Sequence, residues 1–61
     1  MKKDEIELGA FVKKGMTGPF KDKGVGVIRD SKHEANHYYC LIRWQDSEVE
    51  EWVHTNRLIR L

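Results

Sequence analysis

Two histidines and a cysteine stand close together in the chain and are of the residue types that bind zinc. His33, His37 and Cys40 follow the spacing His-x3-His-x2-Cys. A structural zinc usually has four protein ligands, and no further Cys or His lies nearby in the sequence, His54 being the next. Cys40 also falls on the core side of a predicted strand, where a small buried thiol is the simpler explanation. We therefore predict no metal site and no cofactor.

Catalytic chemistry has a similarly weak basis. Asp30, Ser31 and His33 are the residue types of a hydrolase triad, but no Gly-x-Ser-x-Gly turn surrounds the serine. Gly24 and Gly26 lack the third glycine and the following helix of a phosphate-binding loop. Polar turn residues and a close strand crossing explain both sets. We predict no catalytic residues and no enzymatic activity.

Large side chains with polar tips alternate along two segments in the second half of the chain. If residues 37–44 and 49–54 pair as strands, one outward face carries Tyr39, Leu41, Arg43, Trp52 and His54. Trp, Tyr and Arg are enriched at the centres of protein interfaces, so we predict a binding patch here. The alternative is an aromatic cross-strand pair that only stabilises the sheet.

A second candidate surface is basic. It comprises Lys13, Lys14, Phe20, Lys21 and Lys23, in and beside a predicted loop rich in glycine. The formal net charge is only +1, whereas a domain that binds mainly through phosphates is usually far more basic. We expect this basic loop to reach phosphates or an acidic protein surface.

Strand periodicity positions these residues. Alternation predicts strands at residues 7–14, 25–29, 37–44, 49–54 and 58–61, a loop at 15–24, a polar turn at 30–36, a tight connection at 45–47 and one helical turn at 55–57. No window has apolar residues at helical spacing. This layout predicts an all-β fold, a small five-stranded SH3-like barrel with one short helical turn before the last strand.

The chain is predicted to hold one domain, with a flexible N-terminal tail at residues 1–5 and the SH3-like barrel at residues 6–61. Alternation places Trp44 inward and Trp52 outward. The predicted core comprises Leu8, Val12, Val27, Cys40, Ile42, Trp44, Val53 and Leu58.

Length and cysteine content limit the class of protein further. A chain of 61 residues has a thin core and little room for a substrate cleft. The single cysteine cannot form an internal disulfide, which favours a reducing, cytoplasmic setting. No apolar run approaches the roughly 20 residues that span a bilayer, so we expect no membrane association.

Two stretches resemble known families. Gly-Pro-Phe-Lys at 18–21 with Gly-Val-Gly-Val-Ile at 24–28 resembles the KOW motif, although Asp22 replaces a loop glycine. Residues 25–28, 40–53 and 58 resemble the Tudor-like modules that interact with RNA polymerase in bacterial transcription and repair factors. The resemblance implies nucleic acid, or the transcription or translation apparatus, as the partner.

These observations lead to three functional hypotheses. The first is a non-enzymatic binding module whose partner is a protein, such as RNA polymerase or an associated factor. The second is a KOW-like or Tudor-like domain that binds nucleic acid directly. The third is a subunit of an assembled oligomer, either structural or an enzyme with a shared central site. The oligomeric state is left open.

Overall fold

Five strands form one antiparallel sheet with the order β4-β3-β2-β1-β5 in a computed structural model that describes residues 1–14, 24–45 and 47–61. The strands are β1 (Phe11–Lys14), β2 (Val25–Glu34), β3 (His37–Trp44), β4 (Glu50–His54) and β5 (Leu58–Arg60), and Lys3–Glu5 and Thr55–Arg57 form short 3-10 turns. The predicted all-β class, five strands and helical turn before the last strand are confirmed. The resemblance to KOW and Tudor-like modules stays a prediction.

No helix within the described ranges is long and apolar enough to cross a membrane.

The hairpin between β2 and β3 is longer than the sequence predicts. The prediction of a polar turn at residues 30–36 is wrong for residues 30–34. These residues continue β2 as far as Glu34, which lies opposite His37. Ala35 and Asn36 alone make the turn, with φ values of 47° and 66°. Positive φ at both central residues is the geometry of a two-residue type I′ hairpin, and Asn adopts it readily.

A β-bulge at Arg29 changes which alternate residues of β2 face the core. Before it, Ile28 lies opposite Ile42 on the core side, and after it Asp30 lies opposite Leu41 on the outer side. Directly opposite residues share a face of the sheet, so the extra residue moves Asp30 and Lys32 to the outer face.

The core is one cluster drawn from all five strands. Its buried members are Val12, Ile28, Cys40, Ile42, Trp44, Val53 and Leu58. The prediction is wrong at two positions. Val27 lies opposite Arg43 on the outer face, so Ile28 takes its place in the core. Leu8 is 62% exposed because it lies in the turn closed by Ala10 N–H donating to Glu7 O, before β1 begins.

The N-terminal residues lie against the domain. Lys3–Glu5 form a 3-10 turn, and the flexibility predicted for residues 1–5 stays a prediction. The ammonium of Met1 donates hydrogen bonds to the carbonyl oxygens of Thr55 at 3.0 Å and Leu58 at 2.7 Å. The segment thereby covers one end of the core, which a sheet this small leaves open.

Candidate binding face

The outer side of β3 and β4 carries all five residues of the predicted patch. Tyr39 lies directly opposite His54, and Leu41 lies directly opposite Trp52. Arg43 follows along β3 on the same side. Because opposite and alternate residues share a face of the sheet, the five side chains form one surface, which we call the aromatic face.

Trp52 is the largest exposed side chain of the aromatic face. It is 42% exposed. The ammonium of Lys32 lies 4.5 Å from the centre of a Trp52 ring and 5.6 Å from that of Tyr39. Both distances are within the range of a cation–π interaction. Lys32 therefore bridges the two aromatic side chains.

Trp44, on the inner side of β3, has a different environment. It is only 3% exposed, and its indole N–H donates a 2.8 Å hydrogen bond to Glu51 Oε1. The Lys14 ammonium lies 3.5 Å from the same oxygen and 5.9 Å from the Trp44 ring. No buried side-chain nitrogen or oxygen in the described residues lacks a hydrogen-bond partner, so this inner group stabilises the fold.

The predicted basic loop divides into three parts. Lys14 is half-buried and paired with Glu51. Lys13 is exposed on the outer side of β1, opposite Val25. Phe20, Lys21 and Lys23 lie outside the described residues.

His54 makes two hydrogen bonds that fix its tautomer. Its Nδ1 accepts from the backbone N–H of Asn56 at 3.1 Å, and its Nε2 lies 2.9 Å from Nδ1 of His37. Because Nδ1 accepts, the proton of a neutral His54 is on Nε2 and is donated to His37. Tyr39 meets the His54 ring edge-on, with centroids 5.2 Å apart. These contacts hold the end of the aromatic face in one arrangement.

The histidine and cysteine spacing does not assemble a metal site in the described residues. His37 Nδ1 and His54 Nε2 face each other at 2.9 Å as a hydrogen-bonded pair. His33 instead stacks on Tyr38, with centroids 4.3 Å apart. Cys40 is fully buried, and this burial raises the pKa of its thiol, which disfavours the thiolate that metals bind. The described residues contain no group of three or more ligating side chains.

Sequence reasoning missed Lys32 and His37 as neighbours of the aromatic face. Residues 30–34 are all polar, so no alternation of apolar side chains marked them as a strand. Asn36 was the available signal, because Asn favours the left-handed conformation of a two-residue turn. A turn placed there extends β2 and brings Lys32 beside β3. The bulge that turns Lys32 outward has no comparable signal.

The fold and this face together define a small antiparallel all-β domain with an exposed aromatic surface. Comparison with protein-family models, with curated proteins and with solved structures finds no match for the chain.

Proposed function

We propose that this chain is a non-enzymatic binding module whose aromatic face recognises a protein partner. The observation that carries the proposal is the exposed ring of Trp52, held beside Tyr39, Leu41 and Arg43 on a regular sheet. Trp, Tyr and Arg dominate the binding energy of protein interfaces. Side chains already ordered on a sheet also lose little entropy on binding.

The charges around this face favour a protein over nucleic acid. Two cations on the outer side already have carboxylate partners: Arg29 with Glu50 at 3.4 Å and Lys32 with Glu34 at 3.6 Å. Both pairs are solvent-accessible and would exchange for a phosphate at little cost, but their carboxylates reduce the positive charge that this side of the sheet presents. With a net charge of +1, the chain offers little of the long-range attraction on which phosphate binding depends.

The resemblance stated above points to a protein of the transcription or nucleic-acid-processing apparatus, such as RNA polymerase or an associated factor. A cytoplasmic setting agrees with Cys40, which is free and buried.

The contacts of the three residues considered as a hydrolase triad, Asp30, Ser31 and His33, support binding without catalysis. Asp30 Oδ1 accepts a 2.8 Å hydrogen bond from the backbone N–H of Ser31, and His33 stacks on Tyr38. These contacts engage the Asp30 carboxylate and the His33 ring with groups other than the Ser31 hydroxyl, which supports a binding role for this chain.

Direct nucleic-acid binding is the second candidate, and one observation favours it. Tyr39 and Trp52 with Lys32 between them resemble the aromatic and cationic surfaces on which bases stack. Labelled single- and double-stranded DNA and RNA, titrated at low salt, distinguish the two. We expect no tight binding. Tight binding with a log–log salt slope of about −0.7 to −0.9 per phosphate contact would establish the second candidate.

The third hypothesis, a subunit with a shared central site, has a separate test. Light scattering of the purified chain should give the mass of a monomer. A stable tetramer would instead support an assembled oligomer.

Capture from nuclease-treated lysate tests the protein proposal. The immobilised chain, Trp52→Ala and the control Leu8→Ala are compared, since Leu8 is also exposed but lies in the turn before β1 and outside the face. Losing a central aromatic costs about 2 kcal/mol, or roughly 30-fold in affinity. Specific proteins should be retained by the chain and by Leu8→Ala and lost with Trp52→Ala. Equal retention by all three would contradict the proposal.

A further inference from the structure

A second surface lies on the outer side of β1, β2 and the end of β3. It is an open cleft of about 540 Å³, with Phe11, Val25 and Val27 among its lining residues. Phe11 lies opposite Val27, and Val27 lies opposite Arg43, so these three side chains form a row across the sheet. A cleft of this volume falls in the range of sites that hold a ligand side chain or a small molecule.

The centre of the cleft is apolar and accessible. Phe11, which begins β1, is 56% exposed although it is paired with β2, and Val25 and Val27 beside it are half-buried. None of these side chains belongs to the core cluster. A partner could therefore bury apolar area here without disturbing the fold.

Cations surround this apolar centre. Arg29 and Arg43 line the cleft, and Lys13 lies opposite Val25 on the same outer face. No acidic side chain of the described residues forms an ion pair with Arg43 or Lys13. Arg29 pairs with Glu50 at 3.4 Å, but both side chains are exposed, and exposed ion pairs exchange at little cost. Glu48 also lines the cleft, so among the described residues the cations outnumber the unpaired carboxylates there.

We propose that this cleft binds an acidic protein segment in which an apolar side chain is flanked by carboxylates. The apolar side chain packs on Phe11 and Val27, while the carboxylates accept hydrogen bonds from the guanidinium groups of Arg29 and Arg43. Arginine binds carboxylates in a bidentate manner, which gives the site orientation as well as charge selectivity. This site adjoins the aromatic face and shares Arg43 with it, but it goes beyond the proposed function because its apolar contacts are Phe11 and Val27, not Trp52, and because the chemistry of its ligand is named.

Three acetylated peptides test the ligand chemistry on the intact chain. The acidic peptide is Gly-Asp-Glu-Phe-Asp-Glu-Gly. In the amide peptide Asn and Gln replace the acids, and in the alanine peptide Ala replaces Phe. Amide chemical shifts followed by NMR should move for Phe11, Val25 and Val27 as the acidic peptide is added. Both other peptides should bind at least about ten-fold more weakly, since each loses either its charges or its apolar contact.

Variants then locate the site. Arg29→Gln and Phe11→Ala should each weaken the acidic peptide about five-fold or more, whereas Trp52→Ala should leave it unchanged. Phe11 and Arg29 are exposed, so these variants should keep the spectrum of a folded chain. Shifts confined to β3 and β4, equal binding of the amide peptide, or no shift at all would overturn the proposal. The Trp52→Ala result keeps this test separate from that of the aromatic face.

Discussion

The two tryptophans of this chain lie on neighbouring strands and have opposite surroundings. Trp44 ends β3 on the inner side, 3% exposed, with its indole N–H bound to Glu51. Trp52 lies in the middle of β4 on the outer side, 42% exposed, with Lys32 over its ring. Since the residue type is the same, the difference arises from where each residue lies in the sheet, above all on which side. It shows how a thin domain can keep one aromatic for stability and present another for binding.

The two sides also differ in how tightly they are filled. Gly26 is buried directly against Trp44, and an added Cβ would meet Ile42 and lie 2.9 Å from Trp44 Cε3. On the outer side, the contacts of Trp52 are with a flexible lysine and with strand neighbours. We expect substitutions on the inner side to act on folding and substitutions on the outer side to act on binding.

The largest effect should come from Trp44→Ala. Removing a buried Trp costs about 3–5 kcal/mol, which approaches the whole stability of a domain this size. The variant should be mostly unfolded in urea titrations followed by circular dichroism. A cooperative unfolding transition at nearly the same urea concentration as that of the unmodified chain would show that Trp44 contributes little to stability. It would contradict the assignment of the inner side to folding.

Gly26→Ala should have the next largest effect. The added methyl group collides with Ile42 and Trp44, and such overpacking costs about 1–3 kcal/mol. Urea denaturation of this variant should show a lower midpoint with an unchanged slope. An unchanged midpoint would mean that the inner side has spare room and is not closely packed.

Trp52→Ala tests whether the outer tryptophan contributes less to stability than Trp44 does. Its partial exposure and the loss of the contact with Lys32 predict a cost of about 1 kcal/mol in the free energy of unfolding. The domain should stay folded by circular dichroism. If this variant were less stable than Trp44→Ala, the assignment of the two sides would be inverted.

Cys40→Ala should have the smallest effect on the free energy of unfolding, and this effect depends on pH. Burial raises the pKa of its thiol above the ordinary 9.0, so the folded chain keeps this proton longer than the unfolded chain does. Stability from this group is full below the pKa of the unfolded thiol and is lost as the pH rises toward the folded one. Above about pH 9, the free energy of unfolding should therefore fall less steeply with pH for Cys40→Ala than for the unmodified chain. Identical slopes would contradict a buried thiol.

Much of the fold could be predicted because its signals are local. Strict alternation gave β3 its observed bounds of His37–Trp44, and the polar residues Thr55–Arg57 form the predicted helical turn. The aromatic face followed from the same alternation, since β3 and β4 pair without a bulge.

The errors arise where alternation fails. The bulge at Arg29 adds one residue to β2 and reverses the side of every residue after it, which no apolar pattern marks. Leu8 fits the alternation of side chains that predicts a strand at residues 7–14. The structure instead has a turn there, in which Gly9 has a φ of 89°. Lys32 could not be placed beside Trp52 until the extent of β2 and its bulge were known.

A photoreactive residue in the aromatic face tests most directly whether this face contacts a protein. Benzoylphenylalanine in place of Tyr39 keeps an aromatic ring there, and the same residue in place of Leu8 gives a control on an exposed turn. After irradiation in cells and nuclease treatment, position 39 should yield a discrete protein adduct that position 8 lacks. An adduct that nuclease removes, or the same adducts from both positions, would contradict the account.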